Sequence, residues 1–327
     1  MMNDLRSHYA RLLAVAGLLA CLGAPAYAAD FPERPITIVV PYTPGGSSDV
    51  VARLLSQQLA IQLKQSVVVE NRPGAGATLG TGLVAKARAD GYTVLLADNA
   101  QTTAPSLYPQ LPYDAVRDFQ ALAMVGTAPA MLLSNQQSGL RSVQSMRDDT
   151  GRNSKGYTIG VGSGSPSHLI AALFQRRSGL NLMMVPYKGA SQAATDVLGG
   201  QIDLIFTNPA SAAQYLQAER MIAIGMTGSQ RLTTLPDVPT FQEQGVQGLE
   251  NVKYWFAMLA PAGLPEDVSQ TWHEALQATL ANADIKRRLG ELGITQVAIT
   301  PEQLSRFIAE DRQTWAEVVK NNGMQLQ

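Results

Sequence analysis

The sequence predicts an α/β protein with two lobes, each built on a mainly parallel sheet flanked by helices. Apolar, β-branched runs alternate with helical patterns from Ile36 to Ala97, and the alternation resumes from Tyr157 to Met226. A later strand pattern, Asn251 to Leu259, predicts that the chain returns to the first unit. Two such units joined by two crossings predict a cleft between lobes that closes on a ligand by hinge motion.

The stretch Ile36 to Arg53 shows the local pattern most clearly. The apolar run Ile36 to Val40 predicts a buried strand, and the prolines and glycines of Pro41 to Gly46 break it. The polar residues Ser47 to Asp49 then offer N-cap side chains to a helix. This order directs free backbone N–H groups and the positive end of a helix dipole to one point, which suits an anion. The stretch alone leaves a plain strand-to-helix connection equally open.

Small polar residues and glycines follow most of the predicted strands. A second glycine turn, Asn71 to Thr78, and a third, Gly162 to His168, each precede a helical pattern. Because ligands of parallel sheets bind beyond the carboxyl ends of the strands, these turns predict a site of neutral donors, which hold a carboxylate and also release it. The side chains concerned are Thr43, Ser47, Ser48, Thr78, Asn99, Thr102, Ser163, Ser165, Ser167, Tyr187, Thr207 and Asn208.

The N-terminus has the pattern of an export signal. Two arginines and the apolar run Leu12 to Leu22, which is too short for a membrane anchor, precede the cleavage motif Ala26-Tyr27-Ala28. We therefore predict an exported protein that is cleaved after Ala28. A lipoprotein attached through Cys21 stays open as the alternative, because the residues before Cys21 form an imperfect lipid-attachment motif.

The composition argues against several classes of function. The formal net charge is −1 and no basic block occurs, which argues against a nucleic-acid surface. Cys21 is the single cysteine, so cleavage after Ala28 leaves no disulfide and no thiol nucleophile. The sequence has no H-E-x-x-H motif, and we expect no metal and no cofactor. Gly74, Gly76 and Gly80 imitate a dinucleotide fingerprint, but Leu79 stands at its third glycine position.

A hydrolase is the alternative among enzymes. His168 lies at a predicted helix start beside Ser163, Ser165 and Ser167, which permits a Ser/His nucleophile pair oriented by Asp203 at the cleft end of a strand. The sequence has no G-x-S-x-G elbow, and a serine at a helix N-terminus more often caps the helix. We therefore predict that the protein is not an enzyme.

Seven motifs in the same order resemble one family, the tripartite tricarboxylate transporter substrate-binding proteins, also called Bug proteins. The resemblance covers the whole chain beyond the predicted signal, and so many long motifs are far more specific than a lone glycine turn. The motifs are PYTPGGSSDVVAR (Pro41 to Arg53), VVVENRPGAGAT (Val67 to Thr78), LPYDAVRDF (Leu111 to Phe119), GSGSPSHL (Gly162 to Leu169), VPYKGASQAATDVLGGQIDLIF (Val185 to Phe206), LPDVPTFQEQG (Leu235 to Gly245) and LAPAGLP (Leu259 to Pro265).

The resemblance implies a Venus-flytrap fold and a periplasmic receptor that delivers a carboxylated solute to a membrane permease with a small and a large subunit. It also implies that the solute carboxylate is held, often through ordered waters, at the loops Tyr42 to Gly46, Gly76 to Thr78 and Gly162 to Ser167. Tyr187 to Gly189 and Asn208 then close the cleft from the second domain.

The sequence departs from the family pattern at two places. Ala77 stands where many relatives have glycine, and Asp98 to Gln101 replaces a stretch that is usually rich in glycine and threonine. We expect both departures to reshape the side of the pocket that recognises the rest of the solute. The identity of the carboxylate therefore stays open among dicarboxylates, citrate-like acids, amino acids and aromatic acids.

These inferences define the expected organisation of the chain. We predict a signal peptide over residues 1–28, a first domain of 29–130 with 252–327, and a second domain of 131–251. We expect a monomeric receptor that delivers a small carboxylate to a membrane permease and binds no nucleic acid. A sensory subunit for a histidine kinase stays open as the alternative. The expected ligand-binding residues are Tyr42, Thr43, Pro44, Gly45, Gly46, Ser48, Gly76, Ala77, Thr78, Asn99, Thr102, Ser163, Ser165, Ser167, Tyr187, Gly189 and Asn208.

Overall fold

The structure, a computed structural model, describes residues 31–108, 110–162, 165–187 and 190–321. The strands in these ranges are β1 (Ile36–Val40), β2 (Val67–Asn71), β3 (Thr93–Asp98), β4 (Phe119–Pro129), β5 (Met131–Asn135), β6 (Tyr157–Gly162), β7 (Leu182–Tyr187), β8 (Leu204–Thr207), β9 (Met221–Met226) and β10 (Lys253–Pro261). The α-helices are α1 (Ser47–Leu63), α2 (Thr78–Ala85), α3 (Ala100–Leu107), α4 (Val143–Asp148), α5 (Thr150–Lys155), α6 (Pro166–Ser178), α7 (Ala190–Leu198), α8 (Pro209–Gln217), α9 (Glu266–Ala281), α10 (Ala283–Glu291) and α11 (Pro301–Asn321). Within the described ranges no helix has both the length and the apolar character needed to cross a membrane.

The strands form two five-stranded sheets, and each sheet with its flanking helices forms one lobe. The first sheet has the order β2-β1-β3-β10-β4, and the second has the order β7-β6-β8-β5-β9. In the first sheet β1 is parallel to β2 and β3, whereas β10 is antiparallel to both of its neighbours. In the second sheet β6 is parallel to β7 and β8, whereas β5 is antiparallel to both of its neighbours. Each sheet is thus parallel except for one interior strand, which confirms the predicted two-lobed α/β fold.

The two chain crossings between the sheets lie side by side. Ala130 alone separates β4 in the first sheet from β5 in the second, and Lys253, where β10 begins on the return path, pairs with Pro129 at the end of β4. Thr227 directly follows β9 in the second lobe. The Ala130 N–H donates to the Thr227 hydroxyl, and the Thr227 N–H donates to the Ala130 carbonyl, each over 2.8 Å. Both residues are buried. Because buried backbone groups need hydrogen-bond partners, this exchange satisfies Ala130 at the first crossing and extends the β5–β9 pairing by one residue.

The first lobe packs apolar residues on both faces of its sheet. Helices α1 and α9 cover one face, where Trp272 is fully buried and its indole N–H donates to the Gly91 carbonyl over 3.0 Å. Helix α11 covers the other face through Leu304 and Ile308. The sheet is therefore buried on both sides, which explains why its strands have nearly continuous apolar sequences.

The second lobe has a separate core that also receives the end of the chain. Phe174, Phe206 and Phe241 pack ring to ring, with centroid separations of 4.8, 5.5 and 6.1 Å. Trp315 and Val319, from the last turns of α11, pack into this same core. Helix α11 thus contacts the first sheet with its N-terminal half and the second core with its C-terminal half.

Two helices lie where the sequence predicted irregular structure. Helix α3 begins at Ala100, directly after β3, where a polar strand end was predicted. The Asp98 carboxylate accepts the Ala100 N–H over 2.9 Å and so satisfies one of the free donors of the first helical turn. Helix α5 is a short second helix after α4. Neither stretch has the apolar spacing that predicts a helix from sequence.

Replacing Trp272 by alanine tests the packing of the first lobe. Trp272 is fully buried and hydrogen-bonded, so Trp272→Ala removes a large side chain and leaves a cavity and an unpaired carbonyl. We expect the free energy of unfolding to fall by about 3–5 kcal/mol in urea titrations followed by fluorescence. The matched control is Ile61→Ala on the exposed side of α1, which should change stability by less than about 0.5 kcal/mol. Equal effects of the two substitutions would contradict this packing.

Candidate ligand-binding site

The loop after β1 is held in place by a network centred on Asp49. One carboxylate oxygen of Asp49 accepts the Gly45 N–H and the Arg53 Nε–H, each over 3.0 Å. The other accepts the Asn71 amide over 3.0 Å, and that amide also reaches the Tyr42 carbonyl over 3.1 Å. Burial alone raises the pKa of Asp49, but the hydrogen bonds from Arg53, Gly45 and Asn71 bring it below its ordinary value. Asp49 is therefore a structural anion that shapes the loop.

The two glycines of this loop have different roles. Gly45 has φ +85°, a left-handed conformation that favours glycine, and its N–H is already used by Asp49. Gly46 has extended dihedrals, φ −77° and ψ 170°, at the N-cap of α1, and its carbonyl accepts the Val50 N–H over 3.0 Å. Both glycines were expected to bind the ligand. The structure pairs the backbone N–H of Gly45 with Asp49, within the protein.

A hydrogen bond joins the starts of two helices from opposite lobes. Asn208 precedes α8 as its N-cap, and its side-chain oxygen accepts the Ser211 N–H over 3.1 Å. The amide nitrogen of Asn208 donates to the hydroxyl oxygen of Ser47, the first residue of α1, over 2.7 Å. The positive ends of the dipoles of α1 and α8 therefore meet at one point between the lobes.

The turn after β6 adds hydroxyl groups from the second lobe. The Ser165 and Ser167 hydroxyls lie 2.8 Å apart, and Ser167 accepts the Gly162 N–H over 3.3 Å. Ser165 occupies the N-cap position of α6, and Pro166 begins the helix. Ser163, predicted to bind the ligand, lies outside the described residues.

The second glycine turn adopts left-handed backbone over several residues. Gly76 has φ +59°, and Ala77, buried, has φ +80° although alanine disfavours this region. The Thr78 hydroxyl donates to the Ala75 carbonyl over 2.8 Å at the start of α2. The departure of Ala77 from glycine thus falls on a position whose backbone suits glycine better.

Asp98 is a buried carboxylate at the carboxyl end of β3. One oxygen accepts the Tyr42 hydroxyl and the Ala100 N–H, each over 2.9 Å, and the other accepts the Ser48 hydroxyl over 3.4 Å. Burial raises the pKa of Asp98 to about 6, against the effect of these three donors. Burial, followed by the charge of Asp98, also raises the pKa of Tyr42 well above its ordinary value. The sequence marked Asp98 only as a departure; the signal was a charged residue directly after an apolar strand.

Asn99 and Thr102 bind groups of the protein itself. The Asn99 oxygen accepts the Trp255 N–H and its amide donates to the Lys253 carbonyl, each over 3.0 Å, so Asn99 extends the pairing of β10. The Thr102 hydroxyl lies 2.6 Å from a carboxylate oxygen of Asp311 in α11. Both side chains are fully buried. A direct contact with a solute would require them to exchange these partners, and their ligand role stays a prediction.

Tyr187, at the end of β7, faces the helix that follows it. Its hydroxyl donates to Asp196 in α7 over 2.6 Å, and burial followed by this contact raises the pKa of Tyr187 to about 12. The hydroxyl is therefore protonated and committed as a donor at neutral pH. Gly189, predicted to bind the ligand beside it, lies outside the described residues.

Among the described residues, the groups of a Ser/His hydrolase are not assembled. The hydroxyls of Ser165 and Ser167 pair with each other, and the buried Nδ1 of His168 has no hydrogen-bond partner among the described residues. Asp203 accepts the N–H and hydroxyl of Thr158 over 2.9 and 2.7 Å, at the start of β6, whereas the serines follow its end. The prediction that Asp203 lies at the cleft end of a strand is therefore wrong, because Asp203 precedes β8.

Metal ligands are also not clustered in the described ranges. No group of three or more histidine, cysteine, aspartate or glutamate side chains there is arranged to hold an ion. The described polar groups of the site are hydroxyls, amides, backbone N–H groups and two aspartates, Asp49 and Asp98, whose carboxylates accept hydrogen bonds from the protein. Two α/β lobes that are joined by two chain crossings, and whose helix starts meet between them, define a two-lobed binding protein.

Comparisons with known proteins give the family. The model of the tripartite tricarboxylate transporter family receptor matches residues 51–324. Protein BugT of Bordetella pertussis is 36% identical over 322 residues, which cover 97% of this chain and 98% of BugT. This chain therefore belongs to the tripartite tricarboxylate transporter receptor family. The family consists of periplasmic binding proteins and not of enzymes.

Solved structures of relatives share the whole architecture. The periplasmic binding protein BugD superimposes with a TM-score of 0.85 at 34% identity, covering 90% of this chain and 100% of BugD. MatC from Rhodopseudomonas palustris, solved with bound malate, superimposes with a TM-score of 0.82 at 30% identity, covering 88% of this chain and 100% of MatC. The resemblance stated from the sequence motifs is confirmed.

The raised pKa of Asp98 predicts a stability change with pH. The folded-state pKa of about 6 exceeds the ordinary value of 3.8, so Asp98 stabilises the fold fully below pH 4 and loses this contribution as the pH rises through 6. Relative to Asp98→Asn, we expect the wild type to lose on the order of 3 kcal/mol of unfolding free energy between pH 4 and pH 7.

Urea titrations of both proteins at half-unit pH steps measure this difference. Asp49 and Asp114, whose pKa values are lowered, act in the opposite direction in both proteins and cancel in the comparison. Parallel stability curves for wild type and Asp98→Asn would contradict the raised pKa.

Proposed function

We propose that this protein captures a small carboxylate between its two lobes in the periplasm and delivers it to a membrane permease with a small and a large subunit. The observation that carries the proposal is the 2.7 Å hydrogen bond between Asn208 and Ser47, because it brings the N-termini of α8 and α1 together from opposite lobes. A carboxylate bound there interacts with both helix dipoles. It therefore favours the closed arrangement of the lobes over the open one.

Neutral donors suit a receptor that must release its solute. A buried cation would bind a carboxylate strongly, whereas hydroxyls and backbone N–H groups give single hydrogen bonds of moderate strength. The proposed set of residues that contact the bound solute, donors and other contacts together, combines the loops of the first lobe with the serines and Asn208 of the second. Its described members are Tyr42, Thr43, Pro44, Gly45, Gly46, Ser48, Gly76, Ala77, Thr78, Asn99, Thr102, Ser165, Ser167, Tyr187 and Asn208, with Ser163 and Gly189 beyond the described residues.

The proposed domain limits follow the sheets. The first domain comprises residues 29–130 with 252–327, and the second comprises 131–251, with the signal cleaved after Ala28. The bound malate of MatC supports a carboxylate as the class of solute, and the description of the family as transporter receptors supports the permease. The protein acts as a monomer in this proposal.

Thermal unfolding in the presence of organic acids tests the proposal. Protein unfolded in urea, dialysed and refolded to remove carried-over solute is screened against dicarboxylates, citrate, amino acids and aromatic acids. A cognate acid at a hundredfold excess over its Kd should stabilise the folded state by about 2.7 kcal/mol and raise the melting temperature by a few degrees. The diamide of the same acid is the uncharged control. Failure of every acid to stabilise the refolded protein would overturn the proposal.

A substitution at Gly46 tests the loop of the first lobe. A Cβ at Gly46 meets only the Thr43 carbonyl at 3.8 Å, and the extended backbone accepts valine, so Gly46→Val should fold normally. The valine side chain at the start of α1 should weaken acid binding by more than about tenfold, since it obstructs approach to the helix N-terminus. The matched control is Gly290→Val in α10, where a Cβ meets nothing within 4 Å. Unchanged acid affinity of Gly46→Val in calorimetric titration would refute this role.

A further inference from the structure

Two hydroxyls beside the candidate loop have their protons committed to one buried carboxylate. The Tyr42 hydroxyl donates to Asp98 over 2.9 Å, and the Ser48 hydroxyl donates to the other oxygen of Asp98 over 3.4 Å. Tyr42 is the first residue of the loop, and Ser48 lies in the first turn of α1, next to the residue that contacts Asn208. An ionised carboxylate only accepts hydrogen bonds, so the direction of both bonds is fixed while Asp98 is charged.

A hydroxyl whose proton is engaged in one hydrogen bond can still accept another. It has one proton and two lone pairs, so Tyr42 and Ser48 offer further partners only lone pairs. A solute carboxylate, which is also only an acceptor, gains no hydrogen bond from them. Ser47 differs, because its oxygen accepts from Asn208 and its own proton remains to be donated. The first lobe therefore presents a donor and, beside it, two acceptors.

The surroundings of Asp98 keep this arrangement in place. The groups that face Asp98 are Tyr42 from the loop, Ser48 from α1, the Ala100 N–H from α3 and Tyr254 from β10. None of these carries a positive charge, and no ion pair to Asp98 occurs among the described residues. The Ala100 N–H, followed by the two hydroxyl protons, is thus the stabilisation that a charged Asp98 has, and withdrawing the hydroxyl protons would leave a buried charge with fewer partners.

We infer that Asp98 makes the site selective for carboxylates that carry a hydrogen-bond donor, a hydroxyl or an ammonium group, beside the carboxylate. This inference rests on the proposed function and adds the chemical class of the solute. Asp98 acts as a positioning residue: it does not touch the solute but sets Tyr42 and Ser48 as acceptors. Hydroxy acids and amino acids satisfy those acceptors, whereas the corresponding unsubstituted acids leave them without a donor.

Protonation of Asp98 should weaken the selectivity. A protonated Asp98 donates its own hydrogen, which turns the bond to Ser48 around and frees the serine proton for a carboxylate. The raised pKa of Asp98 puts this change near pH 6. Selectivity is therefore expected to be greatest above pH 7 and smaller at pH 5. The Asp98→Asn variant, whose amide donates to Ser48 at every pH, should lack the change.

Calorimetric titration with matched acids tests the inference. The pairs are malate with succinate, lactate with propionate, and glutamate with glutarate, each differing by one donor group. For wild type at pH 7.5, we expect the acid with the donor to bind about tenfold more tightly, as one well-made hydrogen bond allows. Equal or tighter binding of the unsubstituted acids would overturn the inference and leave the proposed function standing. Binding of none of these acids, with none found in the thermal screen, would overturn both.

Tyr42→Phe separates an acceptor role from a donor role. Loss of the hydroxyl should weaken binding of the donor-bearing acid by about tenfold and leave binding of the unsubstituted acid unchanged. If Tyr42 instead donated to the solute carboxylate, the substitution would weaken the binding of both acids equally, and the inference would be wrong. The matched control is Tyr92→Phe, whose hydroxyl accepts the Glu33 N–H over 2.9 Å elsewhere in the first lobe.

Asp98→Asn gives a readout that loss of structure does not produce. The unsubstituted acid should bind several-fold more tightly than to wild type, because the serine proton is free and a negative charge is gone. Both proteins share the ionisation of the acid, so the difference between their pH profiles isolates Asp98. The matched control is Asp203→Asn, a carboxylate that accepts a hydroxyl and an N–H in the second lobe. No gain for the unsubstituted acid, with identical pH profiles, would overturn the inference.

Discussion

The side-by-side passage of the chain between the lobes, at Ala130 and at Lys253, is the constraint on which the arrangement of the molecule depends. It lets the chain leave the first sheet, complete the second and return, while Thr227 at the end of β9 satisfies the buried backbone of Ala130. The return strand β10 and the departing strand β5 each begin at this passage and run antiparallel to their neighbours in their own sheet. Both lobes therefore direct the ends of their parallel strands, and the helix starts that follow, towards the same cleft.

Most of the fold followed from periodicity, because apolar strands and amphipathic helices have clear spacing. The helix α3 did not, since its start is fixed by Asp98, whose contribution is visible only once β3 and the loop are side by side. The candidate site was predicted as a set of loops, whereas the partners within it were not. That Gly45 is bound by Asp49, and Asn99 by β10, depends on contacts between residues far apart in sequence.

Donors and acceptors matter more here than the residue types alone suggest. Tyr42 and Ser48 were expected to bind the solute carboxylate, yet the hydroxyl of each donates its hydrogen bond to Asp98. The same residue types therefore serve opposite purposes depending on one buried neighbour. Family membership gives the architecture and the general class of function, whereas the contacts of Asp98 with Tyr42 and Ser48 come from the structure of this chain.

Helix α11 connects the two cores at the very end of the chain. Leu304 and Ile308 complete the first core, and Trp315 and Val319, a few turns later, complete the second. During synthesis neither core is finished until these last residues emerge, so the chain lacks a complete folded lobe until it is nearly whole. Loss of a few C-terminal turns would accordingly affect the lobe that lies farther away in sequence, and not only the helix itself.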